Sequence, residues 1–125
     1  MYLYSSLAII NLAIKHKSNF AKLPYCKKGH ELVKLLNSSG YLYTYTLDLN
    51  AIIVYFKKHD NIFVLNGFFF YSKPGHIRSI TIDQLRRDYY KKNKLLILST
   101  IDGICTSREA LQKNQGGIIL AEIGK

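Results

Sequence analysis

The stretch LLILSTIDGICTSREALQKNQGGIILAEIGK, residues 95–125, is the part of the chain around which the rest is placed. Leu95 to Leu98 is an apolar run of strand length, rich in branched side chains that suit a pleated surface. The run stops at two hydroxyls, Ser99 and Thr100. Asp102-Gly103 follows with turn chemistry, because glycine tolerates positive φ and an aspartate carboxylate bonds nearby backbone. Thr106-Ser107-Arg108-Glu109 has the spacing of a capping box. The threonine hydroxyl takes one free N–H of a helix start, and the glutamate reaches back to another. A short helix is expected to about Lys113, closed by Gly116-Gly117, and a last strand over Ile118 to Ile123.

Working back from that segment, Ser72-Lys73-Pro74-Gly75 reads as a tight turn with proline at i+1 and glycine at i+2. It is taken as the border between two small lobes, 1–70 and 71–125. Ile77, Ile80 and Ile82 are placed in the strand after it, and Asp83 is set as the cap of one helical turn to Arg87. The run from Arg86 to Lys94 mixes cations with Tyr89 and Tyr90 and is read as a connecting surface loop.

The N-terminal lobe reads as helix, strand, helix and a three-strand meander. Ser5 or Ser6 is expected to cap a first helix running to about Lys17, with Leu7, Ile10 and Ile14 on one face. Phe20 to Leu23 is extended before Pro24, which biases its predecessor away from helix. A second helix runs from about Cys26 to Ser39, with Leu32, Leu35 and Leu36 as its core stripe, Val33 flanking it and Gly40 just past its end. Tyr41 to Leu47, Ala51 to Phe56 and Ile62 to Leu65 are the meander strands. The fold class is therefore α/β in the broad sense, more strictly α+β, with a mostly β second lobe that carries one short capped helix.

Composition bounds the function. With 125 residues and 48% hydrophobic content the chain can bury one core, or two small lobes that share one. Eighteen Lys and Arg against eight Asp and Glu give a net charge of +10, which favours a polyanionic partner through release of counterions from phosphates. Cys26 and Cys105 match no metal or redox spacing. The apolar N-terminus, MYLYSSLAIINLAI, is too short to span a bilayer and has its cations on the wrong side for a secretory signal. The histidines at 16, 30, 59 and 76 are scattered, the eight acids form no evident pair, and Ser99 lies in no nucleophile elbow. No cofactor, metal or small-molecule substrate is called for, and the chain is read as a non-enzyme.

Nucleic-acid binding suits the residues better. The shallow minor groove of A-form RNA is lined by 2′-hydroxyls, and a rigid loop of small hydroxyl residues approaches it closely, donating and accepting. Ser99, Thr100, Gly103, Thr106 and Ser107 suit that role, with Lys73, Arg78, Arg108 and Lys113 as the charge around them. The same residues serve ordinary capping and turn chemistry, so the pattern alone leaves both readings open.

Four motifs in order resolve the choice. Ser72-Lys73-Pro74-Gly75, Ser99-Thr100-Ile101-Asp102-Gly103, Thr106-Ser107-Arg108-Glu109-Ala110 and Gly116-Gly117-Ile118 together resemble the C-terminal signature of the bacterial-type small-subunit ribosomal protein S-eight family. The resemblance is strong over 72–123 and weak over 1–70. It implies contacts to RNA from the hydroxyl segment, from Lys73, Pro74, Gly75, Gly116 and Gly117, and from Asn11, Lys15 and Lys17 of the first helix. It implies binding to the central domain of small-subunit rRNA, stabilisation of that RNA fold during assembly and translation, and neighbouring small-subunit proteins as partners, with no membrane. Three positions depart from the family pattern: Ile101 replaces its third serine, Ile118 its acid after Gly-Gly, and Leu111 its arginine after Glu-Ala. That drift, with a composition rich in Lys, Ile, Asn, Tyr and Phe, places the chain in the mitochondrial matrix, on the ribosomal small subunit; a plastid is the alternative. The rival readings are a free-standing regulatory RNA-binding module and, behind it, a small enzyme.

Overall fold

The computed structural model describes residues 2–72, 76–88 and 95–123. In chain order these form α1 (Tyr2–Lys15), β1 (Phe20–Pro24), α2 (Lys27–Ser38), β2 (Leu42–Asp48), β3 (Ala51–Phe56), β4 (Lys58–His59) and β5 (Ile62–Phe63). They continue with β6 (Phe68–Phe70), β7 (Ser79–Ile80), α3 (Ile82–Asp88), β8 (Leu96–Thr100), β9 (Gly103–Thr106), α4 (Ser107–Gln112) and β10 (Gly117–Ile123). The fold is α+β, with antiparallel sheets. It divides into two compact units, one ending at Gly67 and the other Phe68–Ile123. The division precedes Ser72 because Phe68–Phe70 pairs with Ile123–Ala121 and so belongs to the second sheet.

In the first unit α1 packs on β1 and α2, and α2 packs on β2. Leu7 and Ile10 of α1, with Leu32, Val33 and Leu36 of α2, are fully buried along with Leu23, Ile52 and Val54 of the sheet. Two expectations are corrected here. Ser5 and Ser6 lie inside α1, which starts at Tyr2. Ser6 shares the inward stripe with Ile10, four residues on, so its hydroxyl enters the core instead of capping a helix end. The three-stranded sheet has the order β1-β3-β2, so its third member is Phe20–Pro24. Ile62–Phe63 pairs only with Lys58–His59, folded back through Asp60 and Asn61, both at positive φ as a type I′ hairpin turn requires.

Among the described residues, the turns out of α1, α2 and α4 use one device. After α1, Lys17 sits at φ 58° while Ser18 N donates to Ala13 O at 2.9 Å and Lys17 N to Ile14 O at 3.0 Å. Gly40 after α2 and Asn114 after α4 repeat this pair of bonds, the Schellman pattern. The closing residue of α4 is thus Asn114, and Gly116-Gly117, expected to close it, has a different task.

In the second unit β10 is the central strand. Residues 121–123 pair with β6, Gly117 and Ile118 pair with β7, and β8 lies along the other edge, followed by β9. Ile80, Leu85, Leu96, Leu98, Cys105, Ala110 and Ile119 form one buried cluster, with Leu111 packed against it. Leu111 therefore does the work of packing where the family signature has a cation. Ile82 opens α3 instead of extending the preceding strand. Its cap is Thr81, not Asp83: Gln84 N donates to Thr81 Oγ1 at 3.2 Å and Thr81 N to Gln84 Oε1 at 3.1 Å.

Candidate nucleic-acid interface

The apolar run of 95–98 does not end at the hydroxyls. β8 continues through Ser99 and Thr100, turns at Ile101-Asp102 and returns as β9, a strand the sequence reading passed over. Thr100 holds the turn, its Oγ1 donating to Gly103 O at 3.0 Å and accepting from Asp102 N at 3.3 Å. Gly103 takes φ 118°, open to glycine and strained for other residues. Gln115 Nε2 donates to Asp102 Oδ2 at 2.8 Å and ties the turn to the entry of β10.

At that entry the two glycines make close approach possible. A Cβ on Gly117 would run into the carbonyl oxygen of Ser99 and lie 3.2 Å from Thr100 Cγ2. One on Gly116 would run into the carbonyl of Ile80 and lie 3.0 Å from Thr81 Cα. Ser99, Thr100, Gly103, Gly116 and Gly117, all half-buried, are thereby gathered at one end of the second sheet. Ile101 stands at the tip of the turn, 94% exposed. The result is a narrow edge of small residues from whose tip the Ile101 side chain projects.

Two of the expected contact residues are turned inward. Ser107 is 3% exposed, and its Oγ accepts the N–H of Leu96 at 3.2 Å, which satisfies the start of β8. Thr106 is 6% exposed and caps α4, accepting from Glu109 N at 3.3 Å. Glu109 answers through its carboxylate, which accepts from the threonine hydroxyl at 3.5 Å. Their hydroxyls hold the fold, because the helix starts where β9 ends and both groups are needed to satisfy that junction. Beneath them Cys105 is buried, and desolvation lifts its thiol above the ordinary value of 9.0, opposed by a hydrogen bond with Thr100.

The cations stand outside. Arg108 in the first turn of α4 and Lys113 at its end are exposed. Arg78 is exposed too, its guanidinium carbon 5.4 Å from the centre of the Tyr71 ring. Arg86, within the helical turn expected to Arg87, comes from α3 to donate to the Asn114 side chain. Lys73, Pro74 and Gly75 lie outside the described residues. Their neighbour Ser72 is fully buried, its hydroxyl accepting from Arg78 N at 3.0 Å and donating to Ile119 O. Asn11, Lys15 and Lys17 belong to the first unit. The two lysines are exposed, and the Asn11 carboxamide stands against Gly67, where a Cβ would come within 2.7 Å of Oδ1.

Thr81-x-x-Gln84 and the β9 strand went unseen in the sequence. The first carried the same Ser/Thr-x-x-Glu/Gln signal as Thr106–Glu109 and was findable. Among the described residues no group of three His, Cys, Asp or Glu side chains is placed to hold a metal ion. No described helix is long and apolar enough to cross a membrane.

The model of the ribosomal protein S8 family matches residues 3–123, and the chain belongs to that family. Among its relatives is small ribosomal subunit protein uS8 of Mycoplasma mobile, 27% identical over 115 residues, 89% of this chain and 84% of the relative. The uS8 of Chlorobaculum tepidum is 30% identical over 112 residues, 86% of this chain and 84% of that protein. That of Lacticaseibacillus casei is 29% identical over 115 residues, 88% and 85% respectively.

Proposed function

We propose that the chain is a structural constituent of the small ribosomal subunit. It binds a helical junction in the central domain of small-subunit rRNA, stabilises that RNA fold and contacts neighbouring small-subunit proteins, with no catalytic role. The observation that carries this is the narrow end of the second sheet, where Gly117 lets β10 close on Ser99 and half-buried small residues are gathered beside the turn. Such an edge approaches a minor groove and meets 2′-hydroxyls with Ser99, Thr100 and backbone groups. Arg78, Arg108, Lys113 and, from the sequence motif, Lys73, Pro74 and Gly75 are assigned to the adjoining phosphates and sugars. Thr106 serves the same site from beneath by capping α4, while Ser107 holds the start of β8. Asn11, Lys15 and Lys17 are assigned a second contact from α1.

The setting proposed is the mitochondrial ribosome, with the plastid ribosome as alternative; it rests on the amino-acid bias and on the apolar exchanges at Ile101 and Ile118. The relatives compared above are bacterial, and presence of the protein in small subunits purified from the organelle is the test of that part.

The binding test is a titration of a central-domain rRNA fragment against a scrambled duplex of equal length, at two salt concentrations. Selective binding that survives raised salt is the expected result, and a Ser99→Ala, Thr100→Ala double variant should lose selectivity while staying folded. Lys113→Ala should leave selectivity intact and lower the log–log salt slope by at most about one unit. Equal binding to both RNAs, collapsing together with salt, would sink the assigned site.

A further inference from the structure

The first unit carries a feature that the glycine edge does not use. Where α2 lies beside β2, three rings stand in a row. The centroids of Tyr25 and His30 are 5.9 Å apart with the planes inclined at 52°, and those of His30 and Tyr45 are 5.9 Å apart at 68°. Tyr25 is 46% exposed although its backbone is fixed, its N–H donating to Asn50 O at 3.0 Å. His30 and Tyr45 are half-buried, so the row opens to the surface at its Tyr25 end.

Cations flank it. On α2, Lys27 comes three residues before His30 and Lys34 four after it, so both share the His30 edge of the helix, and both are exposed. The acids nearby are directed elsewhere. Glu31 is one position on, about 100° around the helix from His30. Asp48, three positions beyond Tyr45 along β2, falls on the opposite face of the sheet, and its carboxylate accepts from Leu49 N at 2.8 Å.

We propose that this edge is a further RNA contact, apart from the one assigned to α1, taking unpaired bases of a single-stranded segment. A base stacks on the exposed ring of Tyr25, with half-buried His30 and Tyr45 behind it and Lys27 and Lys34 against the phosphates on either side. The rings already touch one another, so a base adds to the row at its Tyr25 end and does not slip between them. Stacking of this kind is indifferent to sequence, since every base has a π-face, and the lysines supply the backbone attraction. The proposal rests on reading the chain as an RNA-binding ribosomal protein, but uses no residue of the second unit.

The test is titration of the full chain with a fluorescent, unstructured oligouridylate and, separately, with the central-domain rRNA fragment. Tyr25→Ala is the main variant, since that ring is half in solvent and its loss should leave the thermal melt unchanged. The expected result is about a tenfold loss of oligouridylate affinity in Tyr25→Ala. Tyr45→Phe, which keeps the ring, should bind as the parent does, and Lys34→Ala should flatten the salt dependence by less than one unit of slope. Tyrosine emission should fall on binding in the parent and less so in Tyr25→Ala. Unchanged oligouridylate affinity in Tyr25→Ala would overturn the proposal. So would a Tyr25→Ala protein that binds both RNAs normally but no longer joins its neighbouring small-subunit proteins, which would make the edge a protein contact. Failure of the parent to select the rRNA fragment would overturn the main reading instead, and the Ser99→Ala, Thr100→Ala variant, intact toward oligouridylate, keeps the two failures apart.

Discussion

The glycine edge of the second unit and the tyrosine edge of the first are surfaces of opposite make. One is built of half-buried glycines and small hydroxyls, kept small because Gly117 must pass against the Ser99 carbonyl. The other is a row of rings left open beside lysines. The glycine edge gains its order from bonds beneath it, such as Ser107 to Leu96 and Thr106 to Glu109, so damage to it shows first as lost stability. The ring edge depends on little below, so damage there should show in binding alone. A buried hydroxyl and an exposed ring can therefore serve one partner by different energetic routes.

The strongest blow to that contrast is Gly117→Val. The added carbons meet backbone and cannot be relieved by a rotamer change, so unfolding in urea should show a loss of about 3 kcal/mol or no folded protein at all. A loss below about 0.5 kcal/mol would mean the edge is not held closed by that contact. Ser107→Ala comes next, since it strands the Leu96 N–H in a buried place. About 1–3 kcal/mol is expected, with RNA affinity of the folded molecules unchanged. A direct drop in affinity at constant stability would instead put the serine at the RNA.

The two capping boxes sharpen the contrast within one unit. Thr106→Ala, at a buried cap, should cost about 1 kcal/mol and weaken RNA binding by loosening the α4 start. Thr81→Ala at the exposed box should cost less and leave RNA binding alone. Equal effects on binding would show that burial of the cap does not matter to the interface. The smallest effect is a pH dependence. Burial holds the Cys105 thiol above its ordinary 9.0, so the unfolded chain loses that proton first. The stability this contributes is complete below about pH 9 and is lost as pH rises through the folded value. Thermal melts at about pH 8 and pH 10 should fall further in the parent than in Cys105→Ala.

Much of this architecture was readable before any coordinates, and the gaps have physical causes. α2, with Leu32, Val33 and Leu36 inward, and the Leu42–Phe56 hairpin follow from local periodicity and turn chemistry. The pairing of Phe20–Pro24 with β3 is a contact between distant segments, which a five-residue strand does not announce. β9 is hidden because Gly103-Ile-Cys-Thr106 is short and its first residue reads as turn. At the candidate site the identities of Ser99, Thr100, Gly103 and Gly117 were legible from motif order. That Ser107 and Thr106 face inward was not, because burial depends on the helix and strand meeting at one point.

The bulge on β10 adds a matter of timing. Its register slips between Ile119 and Ala121, and the carbonyl of the extra residue, Leu120, receives the N–H groups of Tyr71 and Ser72 at 3.1 and 3.4 Å. The last described strand is thus the piece that joins segments from positions near 70, 80 and 97. During synthesis the first unit has all its strands in hand once Phe63 has emerged, whereas the second cannot close until Ile123 is out. The glycine edge, which needs β10 beside β8, therefore forms later than the sheet of the first unit.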